Sequence, residues 1–593
     1  MTYRAPLRDI LFSLEDVVAV DGLKTTGAFD DLSSDLTRQV MEEAARFAEE
    51  VFGPLDRGGD TQGCTLKDGA VTTPKGFCEA YAKFVEAGWQ GISAPAGHGG
   101  MGLPRALGGA LGEMINGANM ALSLAPLLTA SAIEALTAHG SDAQKALYLP
   151  KLVTGEWSGA MNLTEPQAGS DLGAATTRAE PAGDGVYRLT GQKIFITWGE
   201  HDCAANIVHL VLARTPDAPA GSKGLSLFLA PKFLPDADGK PGERNALKAI
   251  GLEEKLGIHG SPTCVMEFAG ATAWLVGEEN RGLAQMFTMM NAARLQVGLQ
   301  GVGVGARAYS RALDYANERK QGTGPDGEYP APIVEHADVR RMLTLMKAKI
   351  EAARHICFAT AVAADAAAFE ESEEDRAFAR RREQFLTPIA KAWGSDVGLE
   401  AASLGLQIHG GAGFIEETGA AQHYRDARIA PIYEGTNGIQ AMDLVGRKLS
   451  LDDGLAIDDL MEEMEATLED CATSSNAELP EIAKRLEPAL RALEDASDWL
   501  LDEDRDDEER MAAAYPYLTL CGEVIGGYFL AVGAVAGQRR LKDKDGDAEF
   551  ARGKIALARY YAESVLPLAP ARAAEVTGAA EPLLDAPEIM LEA

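Results

Sequence analysis

The hydrophobic periodicity of this chain changes twice along its length, and these changes constrain the fold more than any other sequence feature. Up to about residue 155, apolar residues recur at helical spacing, as in the segment 33–55, which begins with a Ser/Asp start signal. From Trp157 to about Gly277, short β-rich runs alternate with Gly, Pro and Asp turns. From about Gly282 the helical period returns in segments long enough to form a bundle.

This order predicts an α+β protein built from four domains. We expect an N-terminal helical domain (1–156), a middle antiparallel β domain (157–281), a helical bundle (282–450) and an additional C-terminal helical domain (451–593). The sheet is expected to be antiparallel because no long helical pattern lies between its strands, as β-α-β units would require.

The charge balance of the chain argues against one class of partner. Lys and Arg number 55, and Asp and Glu number 89, which gives a net charge of −34 over 593 residues. Nucleic-acid binding needs clustered cations that neutralise phosphates, so this acidic composition predicts no nucleic-acid partner. The hydrophobic fraction of 46% predicts several buried cores rather than a disordered chain.

Cysteine usage and apolar segments bear on the compartment. The seven cysteines are odd in number, widely spaced and without a C-x-x-C pair, which predicts neither a disulfide framework nor a metal site. The N-terminus lacks an apolar core long enough for a signal peptide. The most apolar stretch, 516–537, is interrupted by Glu523 and is interpreted as a buried bundle helix. These patterns predict a cytoplasmic protein in a reducing compartment, without a membrane partner.

Two stretches are more specific than the rest of the sequence. The first is Met161–Asp171 (MNLTEPQAGSD), followed about 25 residues on by QKIFITWG, and the second is Gln407–Gln440. In the first stretch, hydroxyl side chains and turn amides can hold phosphate or the edge of a ring, and a phenylalanine offers a flat apolar face. Taken singly, each of these residues is equally compatible with a sheet turn or a core position; they are Thr164, Ser170, Thr197 and Phe195, with the turn 168–170.

Both stretches, together with the helix–sheet–helix order over about residues 35–450, resemble the acyl-CoA dehydrogenase family of flavoenzymes. The resemblance implies FAD as cofactor and an acyl-CoA thioester as substrate. It also implies that Thr164 and Thr197 hydrogen-bond the flavin ring, and that Ser170 lies near the pyrophosphate or the CoA arm. Phe195 stands where family members usually carry Trp, so the aromatic face is kept and the indole N–H donor is lost.

The resemblance assigns further cofactor contacts. In addition to those above, the residues expected to bind FAD are Met161, Leu163, Gly169 and Thr436. The adenosine end is expected to be held from the partner subunit of a homodimer by Arg319, Gln407, Gly410 and Gly411. The sequence departs from the family pattern near this end, because Gly322 stands at an aromatic position and Ala337 at a position that is often Gln.

Glu434, in the sequence IYEGTNG just before a predicted helix, is the expected catalytic base. The reaction implied by the resemblance is α,β-dehydrogenation, in which the carboxylate removes the α-proton while the β-hydride moves to flavin N5. A thioester α-proton is too weakly acidic for a carboxylate in water. Fixed donors must therefore polarise the carbonyl, in the family the backbone N–H of the glutamate and a ribityl hydroxyl of FAD. Gly435 and Ser170 are expected beside the substrate; the alternative for Glu434 is a helix-start carboxylate that only satisfies the helix dipole.

A neighbouring helix position supports this assignment. Some family branches carry the base on the helix that contains Arg294, at a position occupied here by Ala293, which has no acidic group. Of the two positions at which the family carries its base, the one at Glu434 is the one that holds a carboxylate in this sequence. Arg294 matches a family residue near the CoA and substrate mouth, and its alternative is a surface arginine on a long helix.

The segment after Leu451 is longer than short- and medium-chain family members have. It resembles a C-terminally extended subgroup that includes very-long-chain-type enzymes and bacterial enzymes acting on 3-methylmercaptopropionyl-CoA. The stretches Tyr3–Leu14 and Val334–Lys349 resemble the bacterial enzymes. The implied reaction is oxidation of 3-(methylthio)propanoyl-CoA to 3-(methylthio)acryloyl-CoA, with electron-transferring flavoprotein as the acceptor that the family implies.

Three alternatives stay open on the sequence. They are a medium- or long-chain acyl-CoA dehydrogenase of fatty-acid β-oxidation, an acyl-CoA oxidase that passes electrons to O₂, and a DNA-associated flavoprotein. The last relies on a basic C-terminal surface, whereas this C-terminal segment is rich in Asp and Glu. One methylene of an acyl chain changes binding by only ~1–3 kcal/mol, so the sequence does not separate the first alternative from the methylthio substrate.

Overall fold

The structure is a computed structural model that describes residues 2–543, 547–586 and 590. Helices, a β-sheet region and further helices follow one another along the chain, which confirms the predicted α+β fold class. The helices of the N-terminal part are α1 (Leu7–Phe12), α2 (Ser34–Phe47), α3 (Asp56–Gln62), α4 (Phe77–Glu86), α5 (Arg105–His139) and α6 (Asp142–Val153).

A β-hairpin interrupts these helices. Strand β1 (Thr65–Lys67) pairs antiparallel with β2 (Ala70–Thr72). The helical prediction for this region missed the hairpin. Its signal is the dipeptide Asp68-Gly69, in which both residues have a positive φ, as a two-residue hairpin turn requires.

The long helix α5 bends at Asn119, whose backbone (φ −161°, ψ 92°) is not helical. The Asn119 side-chain Oδ1 accepts a hydrogen bond from the Leu122 N–H (3.1 Å) and caps the second half of the helix. Both halves are buried over most of their length. The bend therefore places two apolar helix faces against the bundle that follows.

The middle of the chain forms a seven-stranded sheet and a two-stranded ribbon. The strands are β3 (Trp157–Asn162), β4 (Arg178–Gly183), β5 (Val186–Thr197), β6 (Asn206–Ala213), β7 (Ser226–Pro231), β8 (Phe233–Pro235), β9 (Pro241–Arg244), β10 (Leu247–Leu252) and β11 (Thr263–Val276). The sheet order is β3-β6-β7-β11-β5-β4, with β10 beside β11, and the ribbon pairs β8 with β9.

One strand pair departs from the antiparallel prediction. Strands β3 and β6 run parallel, from Trp157 opposite Asn206 to Asn162 opposite Val211. All other pairs in the sheet are antiparallel, as expected. The parallel pair arises because the chain leaves β3 through the loop 163–177 and the β4–β5 hairpin, and only then returns beside β3 in the same direction.

The bundle consists of α7 (Gly282–Glu318), α8 (Ala337–Phe369), α9 (Glu373–His409), α10 (Ala420–Ala427) and α11 (Asn437–Asp443). Helices α7 and α9 cross so closely that a Cβ on Gly301 would lie 2.2 Å from Gly394 O. Glycine is required at this crossing because any side chain would force the two backbones apart. The crossing sets the spacing between the two helices that carry Arg294 and Lys391.

The C-terminal part is helical and packs on the bundle. Its helices are α12 (Leu455–Ala472), α13 (Leu479–Leu501), α14 (Asp507–Arg540), α15 (Ala548–Ser564), α16 (Ala569–Gly578) and α17 (Ala580–Leu584). A Cβ on Gly522 of α14 would lie 2.3 Å from the Trp393 ring, so α14 meets α9 directly through this glycine. By length and composition α5 and α14 could each cross a membrane, but in both helices 83% of the apolar window is buried inside the protein. The interpretation of 516–537 as a buried bundle helix agrees with this burial.

Buried ions join the N-terminal segment, the bundle and the C-terminal part. Lys554 of α15 donates to Asp9 Oδ1 (2.8 Å) and to Glu351 Oε2 (2.6 Å). Lys347 pairs with Glu351 (2.9 Å) and also donates to Asp9. Burial alone would raise the pKa of Asp9, but Lys347 and Lys554 hold it well below its usual range. The first helix and a late helix of the chain are thus held together by charges shielded from water.

One structural feature contradicts the expectation that the thiols are free. Cys78, in α4, and Cys203, in the loop after β5, form a disulfide. Thr73 holds the two segments together, because its backbone N–H (3.2 Å) and its hydroxyl (2.8 Å) both donate to Asp202 Oδ1. The partners are 125 residues apart, so the spacing of cysteines along the chain carries no sign of the pair. The other five cysteines are free.

Candidate active site

The loop before α11 has a left-handed backbone at two successive residues. Glu434 has a φ of +56° and Gly435 a φ of +84°. For a non-glycine residue this conformation is costly and persists only where neighbours enforce it. Here Lys391 Nζ donates to Gly435 O (2.8 Å), and Gln440 Nε2 donates to Glu434 O (3.4 Å). The loop is therefore held in one conformation from two sides.

Glu434 interacts with two buried cations, Arg294 of α7 and Lys391 of α9. Burial raises the pKa of Glu434 to about 7, although both cations act to lower it. Burial also lowers the pKa of the Lys391 ammonium to about 7, against the attraction of Glu434. A carboxylate with a pKa near neutrality is suited to take a proton from carbon and release it again.

Arg294 is buried, which rules out the interpretation as a surface arginine. Its Nη1 donates to Asp443 Oδ2 and to Asn291 Oδ1, both at 3.2 Å. Its Nε has no hydrogen-bond partner among the described residues, so one donor of the guanidinium is left for another group. The preceding residue, Ala293, is fully buried and contributes no acid to the site.

The turn that carries Thr164 is fixed by a buried ion pair. Lys193 Nζ donates to Glu165 Oε1 and to Leu163 O, each at 2.8 Å. Burial would raise the pKa of Glu165, but Lys193 and several hydrogen bonds hold it well below its usual range. The Ile194 N–H donates to Thr164 O (2.9 Å), which places the turn directly beside strand β5.

Next to this turn, the end of β5 presents an exposed aromatic ring. Phe195 has a φ of +60° and is 58% exposed, so its ring lies on the surface and not in the core. Thr164 and Thr197 are both partly exposed. Neither hydroxyl forms a hydrogen bond within the described residues. An accessible aromatic face flanked by free hydroxyls fits a planar ring with polar edges, such as a flavin.

The other residues predicted near this ring are placed as follows. Met161 and Leu163 are buried, whereas Gly169 and Ser170 are exposed on the turn. Thr436 is exposed and is the N-cap of α11, where its hydroxyl accepts a hydrogen bond from the Ile439 N–H (3.2 Å). The structure thus joins the 161–170 segment to Phe195, and it joins Glu434 to Arg294.

The remaining predicted cofactor residues lie at the far end of the bundle. Tyr315 of α7 stacks on His409 of α9 with ring centroids 4.5 Å apart, which brings the ends of these helices together. Arg319 lies 25 positions after Arg294, and this corresponds to about 37 Å along a helix. The residues at this end are exposed; they are Arg319, Gln407, Gly410 and Gly411. A single chain therefore does not bring them to Glu434.

A cavity of about 600 Å³ lies among α5, α7, α8 and α9. It borders the site through Asn291, which lines the cavity and accepts the hydrogen bond from Arg294. Its lining mixes apolar and polar side chains, among them Leu111, Ile115, Leu127, Leu295, Asn116 and Gln296. The volume is within the range of small-molecule pockets, about 300–1,000 Å³, so it does not by itself restrict an acyl chain to a short one.

Lys391 and its partners were not among the residues predicted from the sequence. Lys391 Nζ donates to Asn437 Oδ1 (2.8 Å), and Asn437 Nδ2 donates to Asp396 Oδ1 (2.9 Å). One signal was present, because Lys391 is the single charged residue in the run LTPIAKAW. A lysine in an apolar helix face is buried only where it has partners, and those partners are far apart in the sequence.

Four family models cover most of the chain. Their descriptions are acyl-CoA dehydrogenase N-terminal domain (34–156), middle domain (160–271) and C-terminal domain (280–449), and acetyl-CoA dehydrogenase C-terminal like (460–587). The chain belongs to the acyl-CoA dehydrogenase family. It is accordingly a flavin-dependent oxidoreductase that acts on acyl-CoA thioesters.

Relatives extend over nearly the whole chain. It is 48% identical to 3-methylmercaptopropionyl-CoA dehydrogenase of Ruegeria pomeroyi, over 99% of this chain and 100% of that protein. It is 34% identical to a broad-specificity linear acyl-CoA dehydrogenase of Mycobacterium tuberculosis, over 95% and 96%. Among solved structures, ACDH-11 of Caenorhabditis elegans in complex with C11-CoA has a TM-score of 0.79 at 20% identity, over 95% of this chain and 92% of that one. That likeness shows the fold.

Proposed function

We propose that this protein oxidises 3-(methylthio)propanoyl-CoA to 3-(methylthio)acryloyl-CoA with FAD as cofactor, and that Glu434 is the base. The observation that carries the proposal is the placement of Glu434, a carboxylate of raised pKa on a strained loop near two buried cations. The choice of substrate is supported by the 48% full-length identity to an enzyme named for it.

Groups of the chain itself account for the proton transfer. The carbonyl oxygen of the thioester needs a fixed donor, and the Glu434 backbone N–H is the donor that this loop would supply. With the carbonyl polarised, the Glu434 carboxylate removes the α-proton. Arg294 and Lys391 favour the ionised form of that carboxylate, which burial alone would disfavour. When bound, FAD supplies the acceptor for the hydride that leaves the β-carbon.

Two subunits are needed to hold one FAD in this proposal. Phe195, with the Thr164 and Thr197 hydroxyls, would hold the ring in one subunit. Arg319, about 37 Å from Arg294 along the helix, would hold the adenosine end of the FAD bound to the partner, together with the segment 407–411 at the same end of the bundle. Light scattering on the purified protein should therefore give a dimer, and a monomer that retains one FAD per chain would contradict the arrangement.

Electron-transferring flavoprotein is the proposed acceptor, and the cytoplasm the proposed compartment. Reoxidation of the substrate-reduced enzyme by electron-transferring flavoprotein, compared with reoxidation by O₂, tests the first of these. Hydrogen peroxide formed at the turnover rate without any other acceptor would support the oxidase alternative. A salt-dependent shift of DNA in a gel at physiological ionic strength would support the DNA-associated one.

Steady-state kinetics with a panel of acyl-CoAs and an electron acceptor tests the substrate. We expect 3-(methylthio)propanoyl-CoA to be oxidised with a higher kcat/KM than butanoyl-, octanoyl- or palmitoyl-CoA. Pentanoyl-CoA is the matched control, because it has a methylene in place of the sulfur. A clear preference for a long straight chain would reject the methylthio substrate and leave the dehydrogenase assignment intact.

The second candidate is a linear acyl-CoA dehydrogenase of broader chain length. One specific observation favours it: the cavity beside Asn291 has a volume of about 600 Å³. The relative from Mycobacterium tuberculosis, 34% identical, is named for linear acyl-CoA substrates of broad range. Nearly equal kcat/KM values across the panel would select this candidate.

The pH dependence follows from Glu434. Its pKa is raised from 4.5 to about 7, and only the ionised form can accept the α-proton. We expect kcat/KM to be constant above about pH 7 and to fall about tenfold per unit below it. Initial rates between pH 5.5 and 8.5 at constant ionic strength measure this fall, which is the acid limb of the pH profile. An acid limb near pH 4.5 would contradict the raised pKa of Glu434.

A further inference from the structure

A continuous series of hydrogen bonds runs from the Glu434 loop to the C-terminal domain. Lys391 Nζ donates to Gly435 O and to Asn437 Oδ1, each at 2.8 Å. Asn437 Nδ2 donates to Asp396 Oδ1 (2.9 Å). The Tyr515 hydroxyl, on α14, donates to Asp396 Oδ2 (2.7 Å). A residue from the last quarter of the chain is therefore linked, through Asp396 and Asn437, to the lysine that anchors the loop.

Lys391 is sensitive to its partners because it is fully buried (0% exposed). An ammonium in that position without paired acceptors would be strongly disfavoured. Burial lowers the pKa of Lys391 to about 7, and Glu434 and Asp396 oppose this by favouring the charged form. The charge on Lys391 near neutral pH thus depends on Glu434 first and on Asp396 second, while Arg294 acts against both.

Asp396 depends in turn on the groups that face it. Burial raises its pKa, and the hydrogen bonds from Tyr515 and Asn437 lower it again. The charges of Lys391 and Arg428 act in the same direction as those hydrogen bonds. Tyr515 is therefore one of four groups that keep this carboxylate ionised, and it is the one contributed by the C-terminal domain.

We propose that Lys391 is a positioning residue for Glu434, and that Tyr515 of the C-terminal domain supports Lys391 through Asp396 and Asn437. This inference rests on the proposed function, in which Glu434 is the base. It assigns the C-terminal domain a part in the active site that goes beyond covering the bundle. Without the bond to Gly435 O, the left-handed loop would lose one of its two described side-chain anchors.

The sign of the effect follows from the charges. Removal of the Tyr515 hydroxyl raises the pKa of Asp396, and a protonated Asp396 no longer favours the Lys391 ammonium. Loss of that cation raises the pKa of Glu434, because only Arg294 then remains of the two cations that lower it. The acid limb of the rate should therefore move to higher pH.

Tyr515→Phe tests the proposal, with Tyr517→Phe as the matched control. Both residues are on α14, but the Tyr517 hydroxyl bonds to Ser497 (2.8 Å) inside the C-terminal domain. The measured quantity is the rate of flavin bleaching in a single anaerobic turnover of the holoenzyme, between pH 5.5 and 8.5. The probe is the acyl-CoA that bleaches the wild-type flavin fastest.

In Tyr515→Phe we expect bleaching at pH 6.5 to be about threefold to tenfold slower, which corresponds to ~0.65–1.4 kcal/mol, within the range of one lost hydrogen bond. We expect the acid limb to move to higher pH, with the acyl-CoA concentration that gives half the maximal bleaching rate nearly unchanged. Hydrogen exchange of the amides in 432–437 should be faster than in the wild type. Tyr517→Phe should lower the thermal midpoint and leave the limb and the exchange of 432–437 unchanged. Lys391→Met should shift the limb further in the same direction.

A Tyr515→Phe enzyme with the wild-type limb and wild-type exchange of 432–437 would overturn the proposal. The same holds for a folded, flavin-loaded Lys391→Met enzyme whose limb does not move. The proposed function has a separate failure, which is full bleaching by Glu434→Gln. If Glu434→Gln is inactive and Tyr515→Phe keeps the wild-type acid limb, Glu434 remains the base. Only the proposal that Tyr515 supports Lys391 and the loop is then rejected.

Discussion

Replacement of Glu434 by Gln should lower the rate of flavin bleaching by about 10²- to 10⁴-fold, the usual contribution of a positioned general base. Gln has nearly the same shape, so it preserves the loop, but an amide cannot accept the α-proton. Flavin content and thermal midpoint should stay close to those of the wild type, because the Glu434 carboxylate forms no hydrogen bond within the described chain. Stopped-flow absorbance with saturating acyl-CoA measures the effect.

The matched control for this variant is Glu462→Gln. Glu462 is an exposed carboxylate on α12, in the C-terminal domain and not in the loop. The Glu462→Gln variant also replaces a carboxylate by an amide, and it should leave the bleaching rate unaltered. If Glu434→Gln bleached its flavin as fast as the control, Glu434 could not be the base.

Replacement of Arg354 by Met should destabilise the fold by about 3–5 kcal/mol, because it leaves a buried carboxylate without its partner. Arg354 of α8 donates to Glu113 of α5 through Nε (2.9 Å) and Nη2 (2.7 Å). Both side chains are almost completely buried, at 1% and 0% exposure. The pair joins the N-terminal helices to the bundle, so its loss should lower the urea midpoint of the whole protein.

Two variants separate charge burial from loss of packing. In Arg354→Met/Glu113→Leu both charges are absent, and most of the lost stability should return, because an apolar pair can replace a buried ion pair. Lys484→Met removes one partner of the exposed pair between Lys484 and Glu481 and should cost less than about 1 kcal/mol. A double variant as unstable as Arg354→Met alone would show that lost packing, not the unpaired charge, causes the effect.

The site residues with the clearest sequence signal lie within two continuous stretches. Thr164, Phe195 and Glu434 belong to short segments whose residue types follow one another in a recognisable order. The structure gives these residues the properties that the prediction needed, an exposed ring for Phe195 and a pKa near 7 for Glu434. Their roles remain predictions until the variants are measured.

Contacts between distant segments could not be predicted in the same way. The burial of Arg294 depends on Asp443, 149 positions later, and the position of Lys391 depends on how closely α7 and α9 cross. The disulfide between Cys78 and Cys203 joins a helix of one domain to a loop of the next. Periodicity reports the local structure of a segment, but it does not report which segments meet.

The parallel pair β3–β6 illustrates the same limit for the sheet. Each strand was recognisable from its own apolar run, and β6 is buried along its whole length. The direction of pairing is set by the 163–177 loop and the β4–β5 hairpin between the two strands. Strand identity was therefore predictable, whereas the partner and its direction were not.

The contact between Asp9 and Lys554 has a consequence for how the protein is made. The two residues are 545 positions apart, so Asp9 cannot meet this partner until the chain has been synthesised past Lys554. Domains are generally completed in the order of synthesis, and surfaces that lack their partners are prone to aggregation. Such long-range closure also slows folding, because loop entropy is lost before the contact forms. The place of the first helix in the folded protein is thus settled only after α15 has been synthesised.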